Sequence, residues 1–407
     1  MRNHPLFRQD IKQMLEAKIL DWDLFLKNYA RIGKAAASFL QKNLKGSCPF
    51  LHQPLKWEGE EETIRQFGQF QTLLIVGSEE ELAGVKVLVE YVQTFLGKRH
   101  HSFPVVFFLC HPDAELFWEM MGACDLHATG IMIIASRANA SFTLTVLARA
   151  IESWTFAKVS CIEKHIFLWT HSEEVPSDFK AFIQQFQIPT GPFCPRWGFL
   201  CFSSFSLTVA KIIGFQSHLF YQGALLTWDQ FSSRKLRIPL EGAALLETIR
   251  MQYPFAQNLI WTFKKSFVSI GSWYQSVWKQ CLGSKAGFFF PHKTSSSSFV
   301  KGGKFFMTTF TEKNRLTDVT SQKFWERYAF LPPVYELSHL SEQILHQTCQ
   351  KLVKLQNGFR IFHVKSLSEE VLGGLLMNFF LEIILLSLPE SSEDGEGEVL
   401  RSLFQLR

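Results

Sequence analysis

Thr72-Leu73-Leu74-Ile75-Val76-Gly77 is an uncharged apolar run closed by a glycine. A run this short, stopped by a turn residue, predicts a strand buried on both faces, as a parallel sheet covered by helices requires. An amphipathic helix is expected over residues 82–95. The alternation then repeats: strands over 103–109, 130–135 and 165–169, with helices over 114–121 and 143–154 between them. Strands separated by helices imply right-handed crossovers and an open, doubly wound parallel sheet with helices on both sides.

A second alternating unit follows. Helices are expected over 240–251 and 270–282, and strands over 258–263, 304–310 and 358–364. Ahead of the first sheet, residues 9–44 carry apolar side chains at helical spacing, and 45–60 read as a loop with Gly46, Pro49 and Pro54. The expected division is an N-terminal helical segment (1–60), a first α/β domain (61–190), an arginine turn with a connecting helix (191–239), a second α/β domain (240–370), and a C-terminal helix with an acidic tail (371–407). The tail, 391–398, reads as mobile, and the serine run 295–298 as a loop.

Composition narrows the function classes. Apolar residues make up 47% of the chain and charged residues 19%, with 41 phenylalanines, enough for large cores. The net charge of +5 is spread without a basic block, which argues against nucleic acid as a partner. Eight cysteines are scattered with no CxxC pair and no zinc spacing, so free thiols in a reducing cytoplasm are expected, with no metal and no cofactor. The N-terminus shows no apolar signal region. Residues 371–388 approach the length of a membrane span, but Asn378 and Glu382 lie within them. Such groups are costly in lipid, so a core helix is expected and no membrane association.

Several stretches together resemble the phosphoglucose isomerase family. Cys194-Pro195-Arg196-Trp197-Gly198-Phe199-Leu200 leads through an apolar helix to Tyr221-Gln222-Gly223-Ala224, similar to the family's Gly-Gly-Arg-x-Ser segment and the Gly-Ala pair where its helix stops. Ile188-Pro189 stands just ahead. Ser272-Trp273-Tyr274-Gln275-Ser276-Val277-Trp278 resembles the Trp-rich helix before the family's catalytic carboxylate. Leu372-Gly373-Gly374-Leu375-Leu376, with Phe380-Leu381-Glu382, resembles its C-terminal helix. The resemblance spans about residues 25–400. It implies two sugar-isomerase (SIS) domains of three-layer α/β/α form with flanking N- and C-terminal helices, a phosphorylated sugar as ligand, a homodimer, and a place in glycolysis and gluconeogenesis.

The site residues that the resemblance implies are largely altered. The family's Gly-x-Gly-Gly-Ser phosphate turn stands here as Gly77-Ser78-Glu79-Glu80-Glu81. Acids suit the first turn of a helix but repel an anion. The second phosphate loop reads Ser136-Arg137-Ala138-Asn139-Ala140-Ser141-Phe142-Thr143. Ser136, Ser141 and Arg137 can still hold an anion. Alternatively the loop is simply polar, with Ser141 or Thr143 capping the next helix. Depending on the alignment, the catalytic base falls on Ser284 or on Gln280, neither a carboxylate, with Lys285 following. The ring-opening histidine falls near Lys301, His292 lying too early, and the C-terminal lysine is replaced in a region where Arg401 is the nearest cation. Arg196 is retained, either to stabilise negative charge on oxygen or as a structural ion-pair partner. General-base loss alone removes about 10²–10⁴-fold in rate.

Three readings follow from the residues. The first is a sugar-phosphate isomerase fold with activity lost or feeble. The second is a working aldose–ketose isomerase in which Glu79, Glu80 or Glu81 supplies the carboxylate and Lys285 or Lys301 the charge. The third is a non-catalytic dimeric interaction protein.

Overall fold

The computed structural model describes residues 6–43, 57–95, 103–136, 139–170, 177–192, 201–254, 256–262, 267–282, 304–312 and 337–388. These fall into two compact units, one within 46–218 and the other combining 1–45 with 219–401.

In the first unit the strands β2 (Thr72–Val76), β3 (Val105–Leu109), β4 (Thr129–Ala135), β5 (Ile166–Thr170) and β6 (Thr190–Pro192) form one sheet in the order β3-β2-β4-β5-β6. Every pairing is parallel. Side chains alternate between two helical layers, as strand geometry dictates. Leu74, Val76, Ile131, Ile133 and Leu168 enter a core with Phe117 of α5 (Ala114–Ala123), Leu147 and Trp154 of α6 (Ala140–Phe156) and Phe179 of α7 (Ser177–Phe186). On the opposite face Phe167 meets Phe67 of α3 (Glu60–Phe67), and Trp169 meets Phe205 of α8 (Ser204–Ile212), with ring centroids 6.1 and 5.6 Å apart. Between β2 and β3 runs α4 (Glu79–Phe95), which packs on α8. The doubly wound α/β/α layering expected from sequence is thus present.

The second unit holds a sheet in the order β1-β9-β8-β7, built from β1 (Phe7–Asp10), β7 (Gln257–Trp261), β8 (Phe305–Glu312) and β9 (Gly358–Val364). Three strands are parallel and β1 runs antiparallel to β9. Residues 7–10 therefore contribute a strand where the sequence reading expects the N-terminal helix to begin. The helices α1 (Lys12–Glu16) and α2 (Trp22–Asn43) follow, and α2 packs on α10 (Ile238–Gln252). One sheet face buries Leu259, Met307, Phe359 and Ile361 against Leu345, Cys349 and Leu352 of α12 (Leu337–Lys354). The other face carries Phe310 and Phe362, which pack on Phe379 of α13 (Glu369–Ser387).

Two sequence expectations acquire physical reasons here. α13 is long and apolar enough to cross a membrane, but 83% of that span is buried within the fold, consistent with a core helix. Gly223-Ala224, expected to stop a helix, instead lies inside α9 (Ser217–Ser232), while α8 closes earlier, before Gly214 at φ +91°. Gly223 is there for close approach. A Cβ on it would strike the Glu370 carbonyl, and one on Gly373 would strike the Phe220 carbonyl. The two glycines let the backbones of α9 and α13 touch.

Candidate functional site

Ligands of open parallel sheets bind beyond the carboxyl ends of the strands. In the first unit the neighbouring strands β2 and β4 are followed by the turn residues Gly77-Ser78 and by Ser136 and Asn139, which stand ahead of α4 and α6. One carboxylate ties these turns together. Oε2 of Glu81 accepts from Ser78 N–H (2.9 Å), Ser78 Oγ (2.9 Å) and Asn139 Nδ2 (2.6 Å). Ser78 Oγ also accepts from Glu81 N–H at 3.3 Å. Ser78-x-x-Glu81 is thus a capping box, each side chain serving the other's backbone at the N-terminus of α4. Asn139 is itself held: its Oδ1 accepts from Ser136 N–H (2.9 Å) and its amide donates to the Ile134 carbonyl (3.1 Å).

The remaining acids of this turn are accounted for separately. Lys86 Nζ donates to both oxygens of Glu79, at 2.8 and 2.7 Å. Burial raises the affinity of Glu79 for a proton, but the hydrogen bond and charge of Lys86 outweigh it and hold the carboxyl below its usual range. Glu80 is exposed. At the end of β3, next to this ion pair, burial pushes the Cys110 thiol up to about 11, so it is not a thiolate near neutrality.

The residues proposed from sequence divide clearly. Arg137, Arg196, Ser284, Lys285 and Lys301 lie outside the described residues, as does the tail 391–398. Gln280 falls in the last turn of α11 (Val268–Leu282) and is half-buried. Gly77 is buried. A Cβ on it would press on Leu82 at 3.2 Å and Ile134 at 3.4 Å, so protein packing already accounts for the glycine. Ser78 is in the network through both its N–H and its hydroxyl. Ser136 joins through its backbone, while its Oγ is buried with no hydrogen-bond partner among the described residues. Neither Ser141 nor Thr143 caps the helix. Asn139 is the N-cap of α6. Ser141 is exposed, and the fully buried Thr143 turns its hydroxyl back on the Asn139 carbonyl at 3.0 Å. Asn139 is the residue that sequence reasoning missed. Its amide meets a carboxylate 58 positions away, and only the β2–β4 pairing brings the two together.

The second unit contains a denser polar cluster, sealed in its core. Arg360 on β9 and Glu382 on α13 are both fully buried and form a two-point ion pair with both contacts at 3.0 Å. Tyr274 of α11 donates to Glu382 at 3.2 Å and Asn378 does so at 3.0 Å, while Arg360 also donates to Thr308 Oγ1 and Gln9 Oε1. No side chain in this cluster is exposed to a ligand.

No family model and no curated protein matches the chain. Solved structures do match it. A hypothetical protein from Thermus thermophilus superposes with a TM-score of 0.72 at 15% identity, over 94% of this chain and 94% of its own. A glucose-6-phosphate isomerase from Chlamydia trachomatis gives a TM-score of 0.63 at 14% identity, over 92% of this chain and 82% of that one. At such identities the architecture is what is shared. Two α/β units, one wholly parallel and one with three parallel strands, thus give this chain a fold similar to that of a glucose-6-phosphate isomerase.

Proposed function

We propose that this protein is a phosphosugar-isomerase-like chain in which aldose–ketose isomerisation has been lost, the fold being retained for binding or assembly. The observation that carries the reading is the engagement of Glu81. A phosphate seated at the β2 and β4 turns needs the donors of Ser78 and Asn139, and these are already given to a carboxylate of the chain itself. A fixed negative charge there also opposes a phosphate dianion. The sequence adds that neither Ser284 nor Gln280 is a carboxylate able to move a proton between two carbons.

The working-isomerase reading requires an acid free to act as base. Glu79 is paired with Lys86, Glu81 is bound within the turns, and Glu80 is exposed. Turnover of fructose 6-phosphate to glucose 6-phosphate, followed by a dehydrogenase-coupled assay, tests the proposal. The expected rate is indistinguishable from a no-enzyme control. A kcat in the ordinary enzyme range of about 1–10³ s⁻¹ would overturn it.

A further inference from the structure

We propose that Glu81 is the specificity-determining residue at the carboxyl ends of β2 and β4: its carboxylate occupies an oxyanion seat, and removing it opens that seat to a phosphate group. The inference rests on the functional reading above and goes further by assigning the exclusion of phosphate to one side chain.

Four observations carry it. First, the group now in the seat is itself an oxyanion, and three donors converge on a single one of its oxygens. Second, the donors come from two turns whose strands pair directly, so they are fixed by the sheet rather than by Glu81. Third, the Asn139 amide keeps its place without Glu81, because Ser136 N–H and the Ile134 carbonyl hold it independently. Fourth, Ser136, whose N–H binds the Asn139 amide oxygen, is 8% exposed, and its hydroxyl has no hydrogen-bond partner among the described residues. An unpartnered buried hydroxyl is costly, and Glu81 does not engage this one. The 17-residue helix α4 adds its positive end. Shortening residue 81 leaves Ser78 N–H, Ser78 Oγ and one N–H of the Asn139 amide without their acceptor, with space where the carboxylate stood.

The test is calorimetric titration of the full chain with inorganic phosphate and, separately, fructose 6-phosphate at low, fixed ionic strength. Wild type, Glu81→Ala, Glu81→Ser, Glu80→Ala and the double variant Glu81→Ala/Ser136→Ala are compared, each first checked for folding by circular dichroism. Glu81→Ala and Glu81→Ser are expected to bind both probes at least tenfold more tightly than wild type. Glu80→Ala, which removes the same charge from an exposed neighbour, is expected to match wild type. The double variant is expected to lose most of the gain. Folded Glu81 variants that bind no tighter than wild type would overturn the inference, as would an equal gain from Glu80→Ala, which would reduce the effect to net charge. The first of these results, with wild type inactive in the isomerase assay, leaves the functional reading standing. Wild-type turnover of fructose 6-phosphate removes that reading instead.

Discussion

Glu81 at the edge of the first sheet and Glu382 in the core of the second unit each accept several hydrogen bonds, but in different surroundings. Glu382 is fully buried and is matched by a guanidinium, a phenol and an amide. Its partner Arg360 lies over the rings of Phe306, Phe362 and Phe379 at 5.8, 5.1 and 5.7 Å. Glu81 is half-buried and, among the described residues, takes only uncharged donors. A buried ion pair must be complete, because either charge alone has no solvent to fall back on. A carboxylate at a strand's carboxyl edge is under no such constraint, since water replaces it when it is removed. Glu382 is therefore a charge the fold requires, whereas Glu81 is the charge proposed to set what the ends of β2 and β4 accept.

The largest effect expected from this contrast is at Glu382. Glu382→Ala strands the Arg360 guanidinium and should lower stability by about 3–5 kcal/mol, read as a shift in urea midpoint. The joint replacement Arg360→Met/Glu382→Leu should cost much less than the two single changes summed. Space is part of the constraint: a Cβ on Gly242 of α10 would collide with the Glu382 carboxylate and come within 2.8 Å of Arg360, so the helix can cover the pair only with glycine there. A loss below about 1 kcal/mol for Glu382→Ala, the range of an exposed pair, would erase the distinction drawn here.

Glu81→Ala should cost far less, about 1 kcal/mol, the usual worth of a helix cap, measured in the same urea titration. A loss as large as that of Glu382→Ala would make Glu81 a structural residue and break the comparison from its other side.

The parts of this molecule that the sequence discloses are those governed by local pattern. β2 and β4 are short apolar runs, and their burial follows from that alone. In α13 the two polar residues that argue against a membrane span, Asn378 and Glu382, are the ones that bind each other, and Glu382 also binds Arg360. Local pattern is silent on partners chosen across the chain. β1 is Phe7-Arg8-Gln9-Asp10, with little strand character of its own, and forms because β9 offers an edge far along the chain, Asp10 pairing with Ile361. β6 is three residues, Thr190-Gly191-Pro192, and exists through pairing with β5. At the site, the acids of residues 79–81 are visible in sequence as helix-start residues. Which of them faces Asn139 depends on strand order, and three adjacent glutamates give no local signal to rank them. The structure gives them three fates: an ion pair with Lys86, solvent, and the joined turns.

The smallest expected effect lies between the two extremes, at Glu247 of α10. Its carboxylate is 8% exposed, but its partners Arg31 and Arg250 are 39% and 35% exposed. Arg250 donates at 2.8 and 2.9 Å and Arg31 at 2.9 Å. Burial raises the proton affinity of Glu247. The hydrogen bond and charge of Arg250, then the charge and hydrogen bond of Arg31, more than offset it, so its pKa in the folded chain lies below the usual carboxylate value. With the folded pKa depressed, the unfolded chain takes up its proton first as pH falls. The contribution of Glu247 is thus complete above the unfolded value of about 4.3 and is lost as pH drops through the folded one. Because both guanidiniums reach solvent, Glu247→Gln should cost no more than about 1 kcal/mol at pH 7. Urea titrations of the wild type and this variant from neutral to acid pH should show their midpoints converging below about pH 4. A gap that stays constant over that range would show that the substitution removes packing rather than charge, and would place this carboxylate with neither Glu81 nor Glu382.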